Sequence, residues 1–457
     1  MTILTFYGGA GEIGGNKILL ADADKNVFLD FGINFGKEKK YYEPPYLQPR
    51  NERHLLGLGI LPDLKGIYKN DENEPWIDAI LISHPHLDHY GYIKYVKDDI
   101  PVICGETTKT LIIAKEISSS GASSGYQIAN LTKSRGVEIF KDFITFRTNN
   151  PPSETPINFT PVHVDHSVPG AYGVIIDTSE GNVVYTGDFR LQGPHKNMSE
   201  EFISTAKDSE PLALIIEGTN ITNAKISSED EVKSKIIDVI KNTTGLCMAG
   251  FSINDIDRLR SFYDAAKATG RKLAISMKQA YLLYNLQKDP KLSIFSLDDP
   301  DVLIFVKDKK RFYIWEEEVI NQYENIIDAN DLEKNDIEKI EQCNLILTTT
   351  FYDMNELITI KPVVGSIYIL SQSEPFNEEM EIDFEKLLNW LDLFGIPQYQ
   401  IHVSGHALPY QLKQAIREIN PKKVFLVHTD KPDLYKRFLS DLNIEIVNPV
   451  EGKKYEI

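Results

Sequence analysis

His84-Pro-His86-Leu-Asp88-His89 gathers three imidazoles and a carboxylate into one short run. These are the ligand types that zinc-class divalent ions accept. With 10 His in 457 residues, chance would produce this pattern in on the order of one such chain in a few thousand. The apolar run 79–83 just before it reads as a buried strand. The cluster therefore sits at a strand's carboxyl end, where α/β folds place chemistry. His84 and His86 alternate and point the same way, while Asp88 and His89 face the site from the first turn of the next helix.

A metal pair needs more ligands, and three further strand ends offer them. His166 follows the strand 158–164, Asp188 ends Val183-Val-Tyr-Thr-Gly-Asp, and His428 ends Val424-Phe-Leu-Val-His. Singly, each has a plainer explanation as a turn carboxylate or a hydrogen-bonded strand-end imidazole. Together with the first cluster they make a seven-residue ligand set, enough for two Zn²⁺ with Asp188 bridging, Mn²⁺ being the alternative. Two such ions against Asp88, Asp188 and a hydroxide leave a charge of about +1, which suits a phosphodiester anion.

Gly9-Ala-Gly11-Glu-Ile-Gly14 imitates a dinucleotide fingerprint, with Asp30 at the matching distance. That motif needs a helix after its last glycine. Here 17–21 is a strand-length apolar run followed by a turn at 22–26. The segment reads as a β-hairpin, and no dinucleotide cofactor is expected.

The elements that must carry these side chains fall into two rhythms. The first part reads as short strands at 3–7, 17–21, 27–31, 79–83, 101–104, 158–164, 171–177 and 183–186, with helical patterns at 90–96 and 107–117. The Ser/Gly stretch 118–125 reads as a loop. From about residue 212, strands at 212–216, 246–251 and 272–276 alternate with helices at 231–240 and 255–268, the mark of a parallel α/β unit. Near the end, strands at 399–404 and 424–427 flank a helix over 410–419, with Leu412, Ala415, Ile416 and Ile419 on one face.

A chain of 457 residues suits two domains. Its net charge of −18 argues against a passive RNA-coating module, but less against an enzyme that holds its substrate with metal and a local basic groove. The run Trp315-Glu-Glu-Glu reads as a solvated helix face. Three scattered Cys read as buried, reduced thiols, and no signal peptide or membrane span is legible. A cytoplasmic protein without a membrane partner is expected; the residues name no protein partner.

With these residues in view, the chain resembles the metallo-β-lactamase superfamily, whose signature His84-x-His86-x-Asp88-His89 matches. More narrowly it resembles the β-CASP nuclease branch that includes ribonuclease J. Gly8-Gly-Ala-Gly-Glu-Ile-Gly-Gly-Asn16 is similar to the opening loop of ribonuclease J, and Asp30 fits the carboxylate that supports the histidine loop. Glu217, His406 and His428 fit the branch's motifs A, B and C. Motif C departs from the bacterial pattern, reading Val-His428-Thr-Asp rather than Val-His-Gly-Glu.

The resemblance implies a four-layer αββα domain (1–208 and 396–457) with a parallel α/β β-CASP domain inserted at 209–395. It implies a metal-dependent ribonuclease acting in RNA processing or decay, with 5′-to-3′ exonuclease favoured over endonuclease. In that reading Asp88 orients the nucleophile and His406, held by Glu217, is the general acid. Ser404, with His402 as a weaker contact, would hold a substrate phosphate, as would Arg258. A DNA nuclease of the same branch is the nearest alternative, though Artemis-type enzymes usually lack a histidine at motif C. Lactonase- or thioesterase-like hydrolases lack the inserted domain, and inactive RNA-processing partners generally lose metal ligands.

Overall fold

The computed structural model of the protein describes residues 1–44, 46–119, 143–222, 227–288, 292, 294–332, 340–372 and 378–457. The chain divides into two compact units, Met1–Ala224 with Gly405–Ile457, and Lys225–Ser404.

The first unit opens with β1 (Thr2–Gly8), β2 (Lys17–Asp22), β3 (Lys25–Leu29), β4 (Ala79–Ile82), β5 (Val102–Gly105) and β6 (Phe143–Phe146). Then come β7 (Phe159–His163), β8 (Tyr172–Asp177), β9 (Asn182–Tyr185) and β10 (Ala213–Glu217). The second unit carries β11 (Cys247–Gly250), β12 (Lys272–Ser276), β13 (Val302–Phe305), β14 (Ile326–Ile327), β15 (Leu345–Thr349), β16 (Ile367–Leu370) and β17 (Gln398–Gln400). Back in the first unit, β18 (Lys423–Val427), β19 (Glu445–Val447) and β20 (Lys454–Glu456) close the chain.

Two sheets build the first unit, in the orders β20-β1-β2-β3-β4-β5-β6 and β19-β18-β10-β9-β8-β7. Strand periodicity sorts their side chains. Ala79 and Leu81 enter the core shared with Val174, Ile215 and Phe425 of the other sheet. Ile80 and Ile82 face the opposite way, toward Leu55, Tyr90, Tyr92 and Ile112. On the far side of the second sheet, Ile175, Leu214 and Leu426 meet Phe202, Leu412 and Ile416 from helices Lys196–Asp208 and Pro409–Ile419. That is the expected αββα sandwich. Each such aliphatic contributes roughly 1.5–3 kcal/mol by leaving water.

The second unit is a parallel sheet of order β14-β13-β12-β15-β11-β16-β17 with a core running from Leu246 to Ile396. Its boundaries fall at 224/225 and 404/405 rather than 208/209 and 395/396. The first lies later because β10 is hydrogen-bonded between β9 and β18 and so belongs to the first unit.

The glycine-rich loop joins antiparallel β1 and β2, as the hairpin reading requires. The helix expected over 90–96 is instead a short helix, Leu87–Tyr90, and a 3₁₀ turn, Ile93–Tyr95. Tyr92 N–H donates to Phe31 O at 3.0 Å, which breaks the helical ladder. Gln398–Gln400 replaces the strand expected over 399–404. The loop assigned to 118–125 lies outside the described residues from 120 on; Ser118 and Ser119 end the helix Glu106–Ser119. No helix among the described residues is long and apolar enough to cross a membrane.

Candidate metal centre

Strand β4 ends at Ile82 and delivers Ser83 and His84 to the sheet's carboxyl edge; the turn Leu87–Tyr90 then presents Asp88 and His89. Two glycines make room for that turn. A Cβ on Gly32 would lie 1.6 Å from Asp88 O, and one on Gly14 would lie 2.8 Å from Asp88 Oδ2. Asp188 follows β9, Glu217 ends β10, and His428 follows β18, so three neighbouring strand ends converge.

The structure brings all seven expected ligands together, in groups that share Asp188 and His428. His84, His86, His166 and Asp188 form one set, Asp188, Glu217, His406 and His428 a second, and Asp88, His89 and His428 a third. Asp188 Oδ2 lies between them, 3.7 Å from His84 Nε2, 3.2 Å from His89 Nε2 and 3.7 Å from His428 Nε2. Asp88 Oδ2 is 3.1 Å from His428 Nε2.

Hydrogen bonds on the outer nitrogens decide where the lone pairs point. His89 Nδ1 donates to Asp30 Oδ2 at 2.7 Å, and His166 Nδ1 to the Gly405 carbonyl at 2.6 Å. Ser83 Oγ donates to Asp30 Oδ2 at 2.8 Å and therefore accepts from His84 Nδ1 at 3.1 Å. Thr219 Oγ1 donates to Glu217 Oε2 at 2.7 Å and accepts from His428 Nδ1 at 2.9 Å. All four Nδ1 hydrogen bonds thus turn the ring's Nε2 toward the interior of the cluster.

These groups fit a cation better than they fit each other. His86 Nδ1 lies 3.0 Å from His84 Nε2 and 3.1 Å from His166 Nε2. A proton on His86 Nδ1 would serve one of those nitrogens and leave the other unpaired; a metal ion satisfies all three. His89 Nε2 and Asp188 Oδ1 are buried with no hydrogen-bond partner among the described residues. Such orphaned atoms are costly unless a ligand takes them.

Charge follows the same division. Burial, then the neighbouring imidazoles, hold His84 and His166 well below the usual histidine value, and burial takes His86 down to about 3. They are neutral, as metal ligands must be. At His89 burial is outweighed by Asp188, Asp30 and Asp88, which raise it well above the usual value. Asp188 and Asp88 stay ionised, because the facing histidines outweigh burial.

Asp30 is fully buried beside these residues. It accepts from Ser83 N at 2.7 Å, Ser83 Oγ, His89 Nδ1 and Tyr185 OH at 2.5 Å. Its backbone takes a positive φ of 60°, as does His428 at 54°. Non-glycine residues seldom adopt that region outside over-determined sites. Glu217 and His406 pair at 3.1 Å beside this cluster, with His406 Nδ1 3.8 Å from Asp188 Oδ2. Glu217, the largest favourable influence, overcomes burial and raises His406 to about 9.

Sequence reasoning missed Ser83, Tyr185 and Thr219, and did not give Asn16 a side-chain partner, although Asn16 Nδ2 donates to Tyr185 OH at 3.1 Å. Ser83 and Thr219 stand next to singled-out residues, but neither type announces a role without its distant partner.

The residues expected to contact substrate lie in the second unit. Arg258 is a correction: it is fully buried, and its guanidinium is spent on Glu229 at 2.9 Å and the Ser371 carbonyl at 2.7 Å rather than offered to a phosphate. Its Nη1 reaches His402 Nδ1 at 3.4 Å. Ser404, half-buried, is the last residue of that unit, while Gly405 and His406 belong to the first.

Residues 64–207 match the Beta-lactamase superfamily domain, and 398–449 the Zn-dependent metallo-hydrolase RNA specificity domain. Ribonuclease J of Mycoplasma genitalium is 25% identical over 435 residues, covering 92% of this chain and 67% of that protein. Ribonuclease J2 of Bacillus subtilis is 26% identical over 427 residues, covering 92% and 68%. A crystal structure of an Enterococcus faecalis V583 protein of unknown function shares the fold over 99% of both chains, with a TM-score of 0.75 at 21% identity. With its histidine loop, its sandwich and its inserted parallel unit accounted for, the chain is ribonuclease J-like and resembles the β-CASP branch of the metallo-β-lactamase superfamily.

Proposed function

We propose that this chain is a ribonuclease that hydrolyses RNA phosphodiester bonds at two zinc ions held by His84, His86, Asp88, His89, His166, Asp188 and His428. The observation that carries this reading is the ring of inward Nε2 atoms around Asp188, two of them 3.7 Å and one 3.2 Å from its Oδ2. When bound, the ions would ease deprotonation of water and draw charge from the phosphate oxygens. Asp88, held by His428, orients the attacking water. His406 is held by Glu217 through Nδ1–H, which leaves Nε2–H to protonate the leaving oxygen. The relatives named ribonuclease J support RNA over DNA.

A 5′-to-3′ exonuclease mode is the finer part of the proposal. Arg258 Nη1 donates to His402 Nδ1 at 3.4 Å, which orients His402 in the segment that also carries Ser404. Those groups suit a terminal phosphate.

Single-stranded RNA and DNA of one sequence, each with a 5′-monophosphate or a 5′-hydroxyl, test both levels. RNA should be cut faster than DNA, with binding that weakens as salt rises. Equal or faster cutting of DNA sinks the RNA reading. The 5′-monophosphate RNA should be trimmed faster than the 5′-hydroxyl RNA, and Ser404→Ala should slow only the former, without loss of metal. Internal cleavage of a circular RNA at a comparable rate would replace the exonuclease mode with an endonuclease one.

A further inference from the structure

In a chain of net charge −18, the segment Lys307-Asp-Lys-Lys-Arg-Phe-Tyr313 carries four cations and two aromatic rings in seven positions. It follows β13 at the carboxyl end of a parallel strand, the edge at which open α/β sheets bind ligands. The neighbouring strands β12 and β15 end at the same edge, followed by Lys278 and by Phe351-Tyr352.

Packing divides this segment into anchors and a presented face. Lys307 pairs with Asp353 and donates to the Tyr352 carbonyl at 2.9 Å; Lys309 pairs with Glu316. Those three bonds fix the loop. Lys309 Nζ also sits 5.4 Å from the Phe312 ring and 5.0 Å from the Tyr313 ring, which orients both aromatics. Lys310 and Arg311 are exposed and make no hydrogen bond or ion pair among the described residues. Around them Phe312 is 38% exposed, Tyr313 46% and Tyr352 82%, which is more ring surface than a monomer needs to leave in water. Asp308 within the segment, and Glu317, Glu318 and Glu356 beside it, confine the positive face to the loop tip. Lys278 adds to it: burial, then the adjacent Lys307 cation, depresses its pKa.

We propose that Lys310, Arg311, Phe312, Tyr313 and Tyr352 form an accessory site for single-stranded RNA on the second unit, which anchors a stretch of substrate other than the one being cut. Unpaired bases can stack on the rings while the two cations meet phosphates; duplex bases are not available for stacking. This proposal rests on the ribonuclease reading for the identity of its ligand.

The metal-loaded full chain is assayed on single-stranded RNAs of about six and about thirty nucleotides, spanning the site size of small stacking surfaces. The native protein should show the lower KM for the longer RNA. Lys310→Ala/Arg311→Ala and, separately, Tyr352→Ala should raise that KM roughly tenfold, leaving kcat and the short RNA within about twofold. The double variant should also flatten the slope of log affinity against log salt by about 1.4, at ~0.7 per lost phosphate contact. Equal KM values for the two RNAs, or native behaviour of both variants, overturns the proposal and would leave the patch to a protein partner. Fluorescence anisotropy with the long RNA separates the two readings. A native protein that binds RNA through this loop yet cuts none refutes the ribonuclease and keeps the patch.

Discussion

The double variant His84→Ala/Asp188→Ala is expected to lose most of its bound metal and at least about 10³-fold of its hydrolytic rate. Metal analysis of the native protein should give about two equivalents. Asp188 Oδ2 lies within 3.7 Å of His84, His89 and His428, so its carboxylate reaches a member of every ligand group. Removing it takes a negative ligand from the middle of the cluster. Removing His84 takes one of the three nitrogens that meet at His86. Changing both together also avoids leaving His84 facing an uncompensated gap. His54→Ala, at an exposed histidine outside the cluster, is the matched control. Full metal-dependent activity in the double variant would sink the assignment of the centre.

His406→Ala should keep its metal and lose about 10²–10⁴-fold in kcat on RNA, the usual contribution of a positioned general acid. The distinguishing measurement is the leaving group. A phosphodiester that releases a nitrophenolate needs no proton on departure, so His406→Ala should cost it far less than it costs RNA. Glu217→Gln should move in the same direction, because the amide cannot hold His406 in its protonated form. The competing role for this pair is a structural hydrogen bond between β10 and the loop that follows Gly405. That role predicts equal losses on both substrates, and equal losses would remove His406 from the chemistry.

The contiguous part of the site was legible because its geometry is local. A buried strand followed by a tight turn places His84, His86, Asp88 and His89 by strand alternation and the first helical turn alone. The glycine-rich hairpin was legible for the same reason, since the apolar run after Gly14 is too close for an intervening helix. Arg258 was not. Its type and its place behind a capping Asp255 are compatible with a surface phosphate contact. Its burial depends on Glu229 and Ser371, which its own segment does not reveal.

The sequence by itself determined the ligand types, the strand ends that carry them and the alternation that makes the second unit a parallel α/β sheet. Only the tertiary structure decided which nitrogen of each histidine faces the metal. That choice is made by a proton acceptor brought in from elsewhere in the chain: Asp30 for His89, Gly405 for His166, and Thr219, itself turned by Glu217, for His428. Side-chain type sets what an imidazole can do. Its tautomer is set by a hydrogen bond across the fold, and the spacing of residues along the chain holds no record of that bond.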